Sequence, residues 1–140
     1  MRRGSSLLEL LLALAIAGLL LGIALPQFGL FRDRLAVTEE AGRIAAAHRR
    51  ARITAILYSR PVTLTIDPDS LSIAVDADSG ISWSTPGPSA HGVTLAGGSR
   101  PITFSPIGIT TGVSNATFRL TRGAASRTVV VSRLGRLRVF

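Results

Sequence analysis

The sequence predicts an α+β protein, with one long N-terminal helix packed on a small antiparallel β domain. Two changes in the hydrophobic pattern support this. Residues 7–31 are almost wholly apolar, and apolar residues then recur every three or four positions as far as Tyr58, as in a helix with one buried face. From Pro61 onward the repeat is two, which is typical of strands buried on one side. The 140 residues allow about one domain, and the hydrophobic share of 46% is enough to form a core.

Composition excludes several kinds of site. The chain has no Cys, so disulfides, thiolate metal sites and cysteine nucleophiles are ruled out. Its two histidines, His48 and His91, lie far apart in the sequence, and the common phosphate-loop, dinucleotide, serine-hydrolase and zinc-protease motifs are absent. We therefore expect a non-enzymatic protein with no catalytic residues, no metal site and no cofactor.

The apolar run has the length of a membrane span. From Leu7 to Leu25 a helix rising about 1.5 Å per residue covers roughly 28 Å, close to the ~30 Å hydrocarbon core of a bilayer. Arg2 and Arg3 precede the run, and the positive-inside tendency leaves the N-terminus in the cytoplasm. A cleaved secretory signal and a plain single-pass anchor are the alternatives. A secretory signal, however, has a shorter apolar region and a small-residue cleavage site.

Glu9 is the one charged residue in this run. A carboxylate in the apolar part of a membrane helix costs a few kcal/mol at the helix centre and less near an end, so such residues usually mark a partner or a function. The run contains no cation for Glu9 to pair with. If the chain were cut after Gly4, the free amine of Ser5 in one copy could pair with Glu9 of another.

The N-terminal sequence resembles the type IV prepilin signature. A basic leader ends at Gly4, Glu9 is the fifth residue after it, and Pro26 lies near the middle of the long helix. The resemblance implies cleavage between Gly4 and Ser5 by a prepilin peptidase and N-methylation of Ser5, which stands where the family usually has Phe. It also implies filament assembly through Glu9 and Pro26, with other minor pilins or pseudopilins as partners through the N-terminal helix.

These features divide the chain into four segments. A leader (1–4) precedes a transmembrane half-helix (5–27), and an amphipathic half-helix (28–60) leads to an antiparallel β domain (61–140). The resemblance implies a single-pass protein of the bacterial inner membrane. Its N-terminus would be cytoplasmic and its β domain periplasmic, or extracellular in a pilus after assembly.

The amphipathic half-helix carries an apolar stripe that is predicted to face the core. Its members are Leu30, Val37, Ala41, Ile44, Ala45, His48, Ala51, Ala55 and Ile56. His48 is interpreted as a packed, hydrogen-bonded core histidine rather than a ligand. Glu39 and Glu40 are expected on the exposed side, where each can pair with Arg43 one turn later.

Proline residues are expected to mark two points on the helix. Pro26 removes a backbone donor and crowds the preceding turn, so it should kink or loosen the helix at the membrane boundary. Pro61 disfavours helical geometry in the residue before it, so the helix should end at residues 58–60.

The β domain is predicted from alternating segments separated by turn residues. Residues 62–66 and 71–75 form an expected antiparallel hairpin. The other expected strands are 93–95, 102–105, 117–121, 127–132 and 136–140. Residues 84–100 are otherwise expected to be loops, because they are rich in Ser, Pro and Gly. Residues 76–80 contain a fragment of a calcium-loop pattern without its later Glu, and are interpreted as a turn.

Two further stretches resemble the GspH/FimT branch of the pilin family. The first consists of residues 51–56 at the helix end followed by 60–64 at the first strand. The second consists of residues 102–108 followed by 129–138. The resemblance implies a pilin-like β domain with sandwich-like sheets. It leaves two functions open: a minor pilin of a type IV pilus, or a structural, GspH-like minor pseudopilin of a type II protein secretion system.

The charge distribution favours the minor pilin over the pseudopilin. The chain has 16 basic residues, all Arg, against 8 acidic ones, and residues 79–140 contain no acid. Six arginines are candidate DNA-binding residues: Arg119, Arg122, Arg127, Arg133, Arg136 and Arg138. The sequence Gly135-Arg136-Leu137-Arg138 resembles the GRxR element with which FimT-type minor pilins bind DNA in natural transformation. Alternate residues of a strand share a face, so Arg136 and Arg138 could contact successive phosphates.

The expected partner is double-stranded DNA, bound without sequence preference through its phosphates. The alternative is that these arginines are solvated surface or interface charges. A second basic cluster, Arg49, Arg50 and Arg52, is interpreted as a solvated helix face.

Overall fold

The computed structural model describes residues 6–76, 81–112 and 115–140. Within them, one α-helix precedes nine strands. The helix is α1 (Leu7–Tyr58), and the strands are β1 (Val62–Ile66), β2 (Ser70–Val75), β3 (Ile81–Pro86), β4 (Thr94–Ala96), β5 (Arg100–Phe104), β6 (Thr110–Thr111), β7 (Ala116–Arg122), β8 (Ala125–Val131) and β9 (Leu137–Val139). A short 3-10 helix (Pro88–His91) lies between β3 and β4. The predicted α+β class is confirmed.

The chain divides into two compact units, Met1–Arg32 and Asp33–Phe140. In the first, Ser6 precedes α1 and its hydroxyl accepts a hydrogen bond from the backbone N–H of Glu9 at 3.2 Å, an N-cap. α1 includes Pro26. Among the described residues, α1 is the one helix long and apolar enough to cross a membrane. Its most apolar stretch of 18 residues is wholly exposed.

The helix ends where the proline rule predicts. Ser59 adopts a positive φ of 52° directly after the last helical residue. The N–H of Ser59 donates to the carbonyl of Ile56, and the N–H of Arg60 donates to the carbonyl of Ala55, both at 3.3 Å. This pair of bonds is a Schellman motif, which satisfies two carbonyls that the last helical turn would otherwise leave unpaired.

Two antiparallel sheets and the second half of α1 enclose the core of the second unit. One sheet has the order β3-β2-β1-β5-β6 and the other β4-β7-β8-β9. The predicted hairpin is confirmed, since β1 and β2 pair from Val62↔Val75 to Ile66↔Leu71. Phe104 of the first sheet and Phe118 of the second are fully buried within a single hydrophobic cluster.

The apolar stripe of α1 is confirmed in its middle and wrong at its ends. Six predicted members are buried: Val37, Ala41, Ile44, His48, Ala51 and Ala55. Leu30 and Ile56 are exposed, and Ala45 is half-buried. Glu40, expected on the exposed side, is 1% exposed. Its position three residues after Val37 and four before Ile44 places it on the buried face, and the helical phase prevails over the preference of a charge for water.

The loop predicted for residues 84–100 is wrong at several points. β3 extends to Pro86 and β5 begins at Arg100, whereas β4 at 94–96 confirms the strand predicted at 93–95. β3 is an edge strand, so a proline at its end costs no hydrogen bond in the ladder. Trp83, on the same strand, packs against the core. The calcium-loop fragment falls mostly outside the described residues.

Candidate functional site

The predicted N-terminal processing and assembly residues lie on α1 or before it. Gly4 and Ser5 fall outside the described residues. Glu9 is exposed in the first turn of α1, where a carboxylate also interacts favourably with the helix dipole. Pro26 is exposed inside the helix.

A tight turn between β8 and β9 positions the C-terminal arginines. The Ser132 N–H donates to the Arg136 carbonyl at 2.9 Å, and the Ser132 hydroxyl accepts from the Arg136 N–H at 3.1 Å. Gly135 adopts φ 74°, and a Cβ there would lie 3.0 Å from Thr110 Cγ2. The Thr110 hydroxyl donates to the Arg133 carbonyl at 2.6 Å, so the turn is anchored to β6. Position 135 therefore favours glycine for two reasons: a positive φ is strained for other residues, and a Cβ would crowd the Thr110 side chain.

Arg136 and Arg138 share one side of this sheet edge, as predicted, although Arg136 lies one residue before β9 rather than on it. Both line a groove of about 670 Å³. The other residues of its wall are Arg52, Val130, Ser132, Leu134, Gly135 and Phe140. Arg52 comes from α1, so the helix contributes a cation to a site that the sequence placed on the sheet alone.

A neighbouring groove of about 350 Å³ continues toward the helix. It shares Arg52, Gly135 and Arg136 with the first and adds Ala45, His48, Arg49 and Leu137. We call the two together the basic groove. Within the described residues, none of its four arginines lies at ion-pair distance from a carboxylate. The groove therefore carries concentrated positive charge and presents it to solvent.

Comparison with known proteins identifies the family to which this fold and sequence belong. Residues 40–135 match the family of the type II transport protein GspH. The chain belongs to the GspH family. The pilin-like protein PilA1 of Thermus thermophilus is 36% identical over 157 aligned positions, which cover 99% of this chain and 98% of that protein.

The fold of this GspH-family protein is similar to that of FimU, a type IV minor pilin of Pseudomonas aeruginosa. One FimU crystal structure gives a TM-score of 0.64 at 21% identity and covers 76% of this chain and 90% of FimU. A second crystal form gives a TM-score of 0.60 at 20% identity, with 74% and 91% covered. The pilin fold predicted from the sequence is confirmed.

The chain is therefore a minor pilin or pseudopilin of the type IV pilus and type II secretion families. Proteins of this class associate with other pilins in a filament and are typically structural rather than enzymatic. The apolar N-terminal helix is consistent with a membrane-anchored component.

The other candidate arginines of this GspH-family chain have different surroundings. Arg122 forms an ion pair with Asp33 at 3.1 Å and donates to the His91 carbonyl at 2.8 Å. It thus joins the end of β7 to α1 and to the 3-10 helix. Arg133, Arg119 and Arg127 are exposed: Arg133 lies in the β8–β9 turn beside the groove, and Arg119 and Arg127 lie on β7 and β8.

The helix arginines predicted to form one solvated face are exposed but lie on two sides of α1. Arg49 and Arg52, three residues apart, both face the basic groove. Arg50 lies 4.9 Å over the ring of Trp83, a cation–π contact. It lines a different groove, of about 460 Å³, beside β2 and β3.

His48 is a packed core histidine, as predicted. It is 4% exposed, and its ring meets that of Phe104 edge-on at 5.0 Å between centroids. Burial, and then the positive charges of Arg52 and Arg49, lower the pKa of His48 to about 4. Its Nε2 atom has no hydrogen-bond partner among the described residues.

A polar cluster around the buried Glu40 links α1 to the 3-10 helix. The predicted pairs of Arg43 with Glu39 and Glu40 are present, at 3.0 and 3.5 Å, whereas the contact with His91 was not predicted. Oε1 of Glu40 lies 2.9 Å from Nδ1 of His91 and 3.5 Å from Nε of Arg43. Arg43 also places Nη1 3.2 Å from Nε2 of His91. The burial of Glu40 could have been predicted from its position on the apolar face of the helix, whereas its pairing with His91 depends on the fold.

Proposed function

We propose that this protein is a minor pilin of a type IV pilus system, assembled into or at the tip of a filament. Its basic groove would bind double-stranded DNA without sequence preference, for uptake in natural transformation. The supporting observation is the groove itself, in which Arg136 and Arg138 face solvent without a carboxylate partner among the described residues. Guanidinium groups so placed can contact successive phosphates of one strand.

The salt dependence of DNA binding tests this proposal. For the full-length protein in nonionic detergent, contact with about four to six phosphates should give a slope of log K against log salt of roughly −4 to −5. Replacing Arg136 and Arg138 together by Gln should reduce the magnitude of that slope by about two, since two phosphate contacts are lost. Fluorescence anisotropy of a labelled duplex measures both.

The matched control is the pair Arg34→Gln and Arg50→Gln, which removes the same charge from exposed helix positions outside the groove. The control should leave the slope nearly unchanged. Equal losses in the two double variants would indicate diffuse attraction rather than a site. Absence of binding at about 50 mM salt, where phosphate contacts are strong, would refute the proposal.

A structural minor pseudopilin of a type II secretion system is the second candidate. The match to GspH favours it. Ile107 is 73% exposed and Leu134 is 80% exposed, on two turns joined by the hydrogen bond from Thr110 to Arg133. A neighbouring subunit would bury both, and the arginines would then be interface or surface charges without DNA.

We propose the same N-terminal arrangement for both candidates. The helix anchors the protein in the bacterial inner membrane, with the N-terminus cytoplasmic and the β domain periplasmic. Glu9 of one subunit pairs with the Ser5 amine of another, and Pro26 takes part in packing between helices. The exposed apolar surface of the helix supports this, because neighbouring helices or lipid must cover it in place of water.

We expect prepilin peptidase to cleave the chain between Gly4 and Ser5. Intact-mass measurement of the protein from its native membrane should give a chain that starts at Ser5, with an added methyl group if the amine is modified. Gly4→Arg should abolish cleavage, because a large charged side chain replaces the small residue at the cut. A mature chain that keeps Met1, or that begins near Phe28, would contradict the prepilin assignment.

A further inference from the structure

The part of the basic groove nearest the helix has cations on both walls. Arg49 and Arg52 project from α1, three residues apart and therefore neighbours on one face. Arg136 faces them from the β8–β9 turn, held by its two bonds to Ser132. Like charges facing one space repel, so this arrangement gains stability from an anion between them.

A buried polar ring forms part of the same surface. His48 is one of the residues that line the space between Arg49, Arg52 and Arg136. The residue is 4% exposed, and its Nε2 lacks a hydrogen-bond partner among the described residues. A buried polar atom without a partner is rare in folded proteins, and an N–H at this Nε2 would supply a further donor to an anion held by the three arginines.

We propose that this pocket binds one phosphate group, held by Arg49 and Arg52 of α1 and by Arg136 of the β8–β9 turn, beside the ring of His48. Planar guanidinium groups match the oxygens of a phosphate and can donate two hydrogen bonds each. If the phosphate is part of DNA, this inference rests on the proposed function. It then extends the DNA contact from the sheet edge to the helix, with Arg138 beside the next phosphate along the groove.

The charge around His48 is consistent with an anion site. The charged groups that face the ring are Arg49 and Arg52 from its own helix and Arg136 from the turn, while Phe104 of β5 contributes an uncharged ring. Burial and the helix arginines lower the pKa of His48 to about 4. A phosphate in the pocket would oppose the arginine charges, so the pKa of His48 should rise when phosphate is bound.

Inorganic phosphate tests the site without DNA. NMR spectra of the full-length protein in nonionic detergent are recorded while phosphate replaces chloride at constant ionic strength. We expect saturable shifts at the Gly135 and Leu137 amides, together with a higher pKa for the His48 ring. Arg52→Gln should weaken this binding about tenfold, the loss expected for one charge-assisted hydrogen bond.

Two variants serve as controls for this measurement. Arg50→Gln removes the same charge from the same exposed helix but from the side that faces Trp83, and it should bind phosphate like the unmodified protein. Arg52→Lys keeps the charge and should recover part of the binding. Non-saturable shifts, or equal weakening by Arg52→Gln and Arg50→Gln, would overturn the proposed site.

DNA binding by the same variants separates this inference from the proposed function. Arg52→Gln should reduce the magnitude of the salt slope by about one and Arg50→Gln should leave it unchanged. Saturable phosphate binding without DNA binding would refute the proposed function and retain the pocket as a site for free phosphate. DNA binding that is insensitive to Arg52→Gln, without saturable phosphate binding, would overturn the pocket and retain the function.

Discussion

Phe104→Ala is expected to lower the free energy of unfolding by about 3–5 kcal/mol, the cost of truncating a buried aromatic side chain and leaving a cavity. Phe104 is fully buried on β5 and packs edge-on against His48 of α1. Its ring also lies 3.7 Å from the position that a Cβ on Gly135 would occupy. One side chain therefore supports the helix, the first sheet and the turn that carries Arg136. Denaturant unfolding of the full-length protein in detergent measures the loss.

Phe140→Ala is the matched control for this substitution. Phe140 is 63% exposed, so its removal should change stability by no more than about 0.5 kcal/mol. If both variants lost the same stability, Phe104 would not be a central packing residue. The Phe104→Ala variant should also weaken DNA binding while it remains folded, because the groove turn loses the ring beneath it.

Acidification is expected to destabilise the protein through His48. The pKa of His48 is about 4 in the folded chain against an ordinary value of 6.5, so between these values the unfolded chain binds the additional proton. The stabilisation associated with the neutral ring is complete above pH 6.5 and declines as the pH falls. The loss reaches about 3 kcal/mol near pH 4, at 1.36 kcal/mol for each unit of pKa.

His48→Gln isolates this contribution, because Gln does not titrate and carboxylate effects are common to both proteins. Unfolding free energies measured from pH 7 to about pH 4 should fall more steeply for the unmodified protein than for the variant. Parallel curves would show that His48 does not bind its proton preferentially in the unfolded chain.

The local patterns of the sequence were sufficient for most elements. Pro61 ended the helix at Tyr58, because its effect acts on the adjacent residues alone. The alternation in 62–66 and 71–75 was enough to predict the hairpin, since alternate residues of a strand share a face. β3 was missed because its Ser and Pro residues resemble a loop, and its pairing with β2 and the packing of Trp83 were not visible locally.

The candidate site was only half visible in the sequence. Arg136 and Arg138 could be paired from their spacing, because neighbours two apart on extended chain share a face. The separation of Arg50 from Arg49 and Arg52 could also have been derived, because one residue corresponds to about 100° around a helix. That Arg52 faces Arg136, 84 positions later, could not be derived, since it depends on how the β8–β9 turn lies against α1.

The sequence by itself determined the helix, the strand pattern and an excess of arginine near the C-terminus, all of which are properties of short segments. The tertiary structure decided which charges act together. It paired Arg122 with Asp33, buried Glu40 beside His91, and left the arginines of the basic groove facing solvent. The physical reason is that the energy of a charge depends on its distance to other charges and on its exposure to water, and both are set by contacts between segments distant in the sequence.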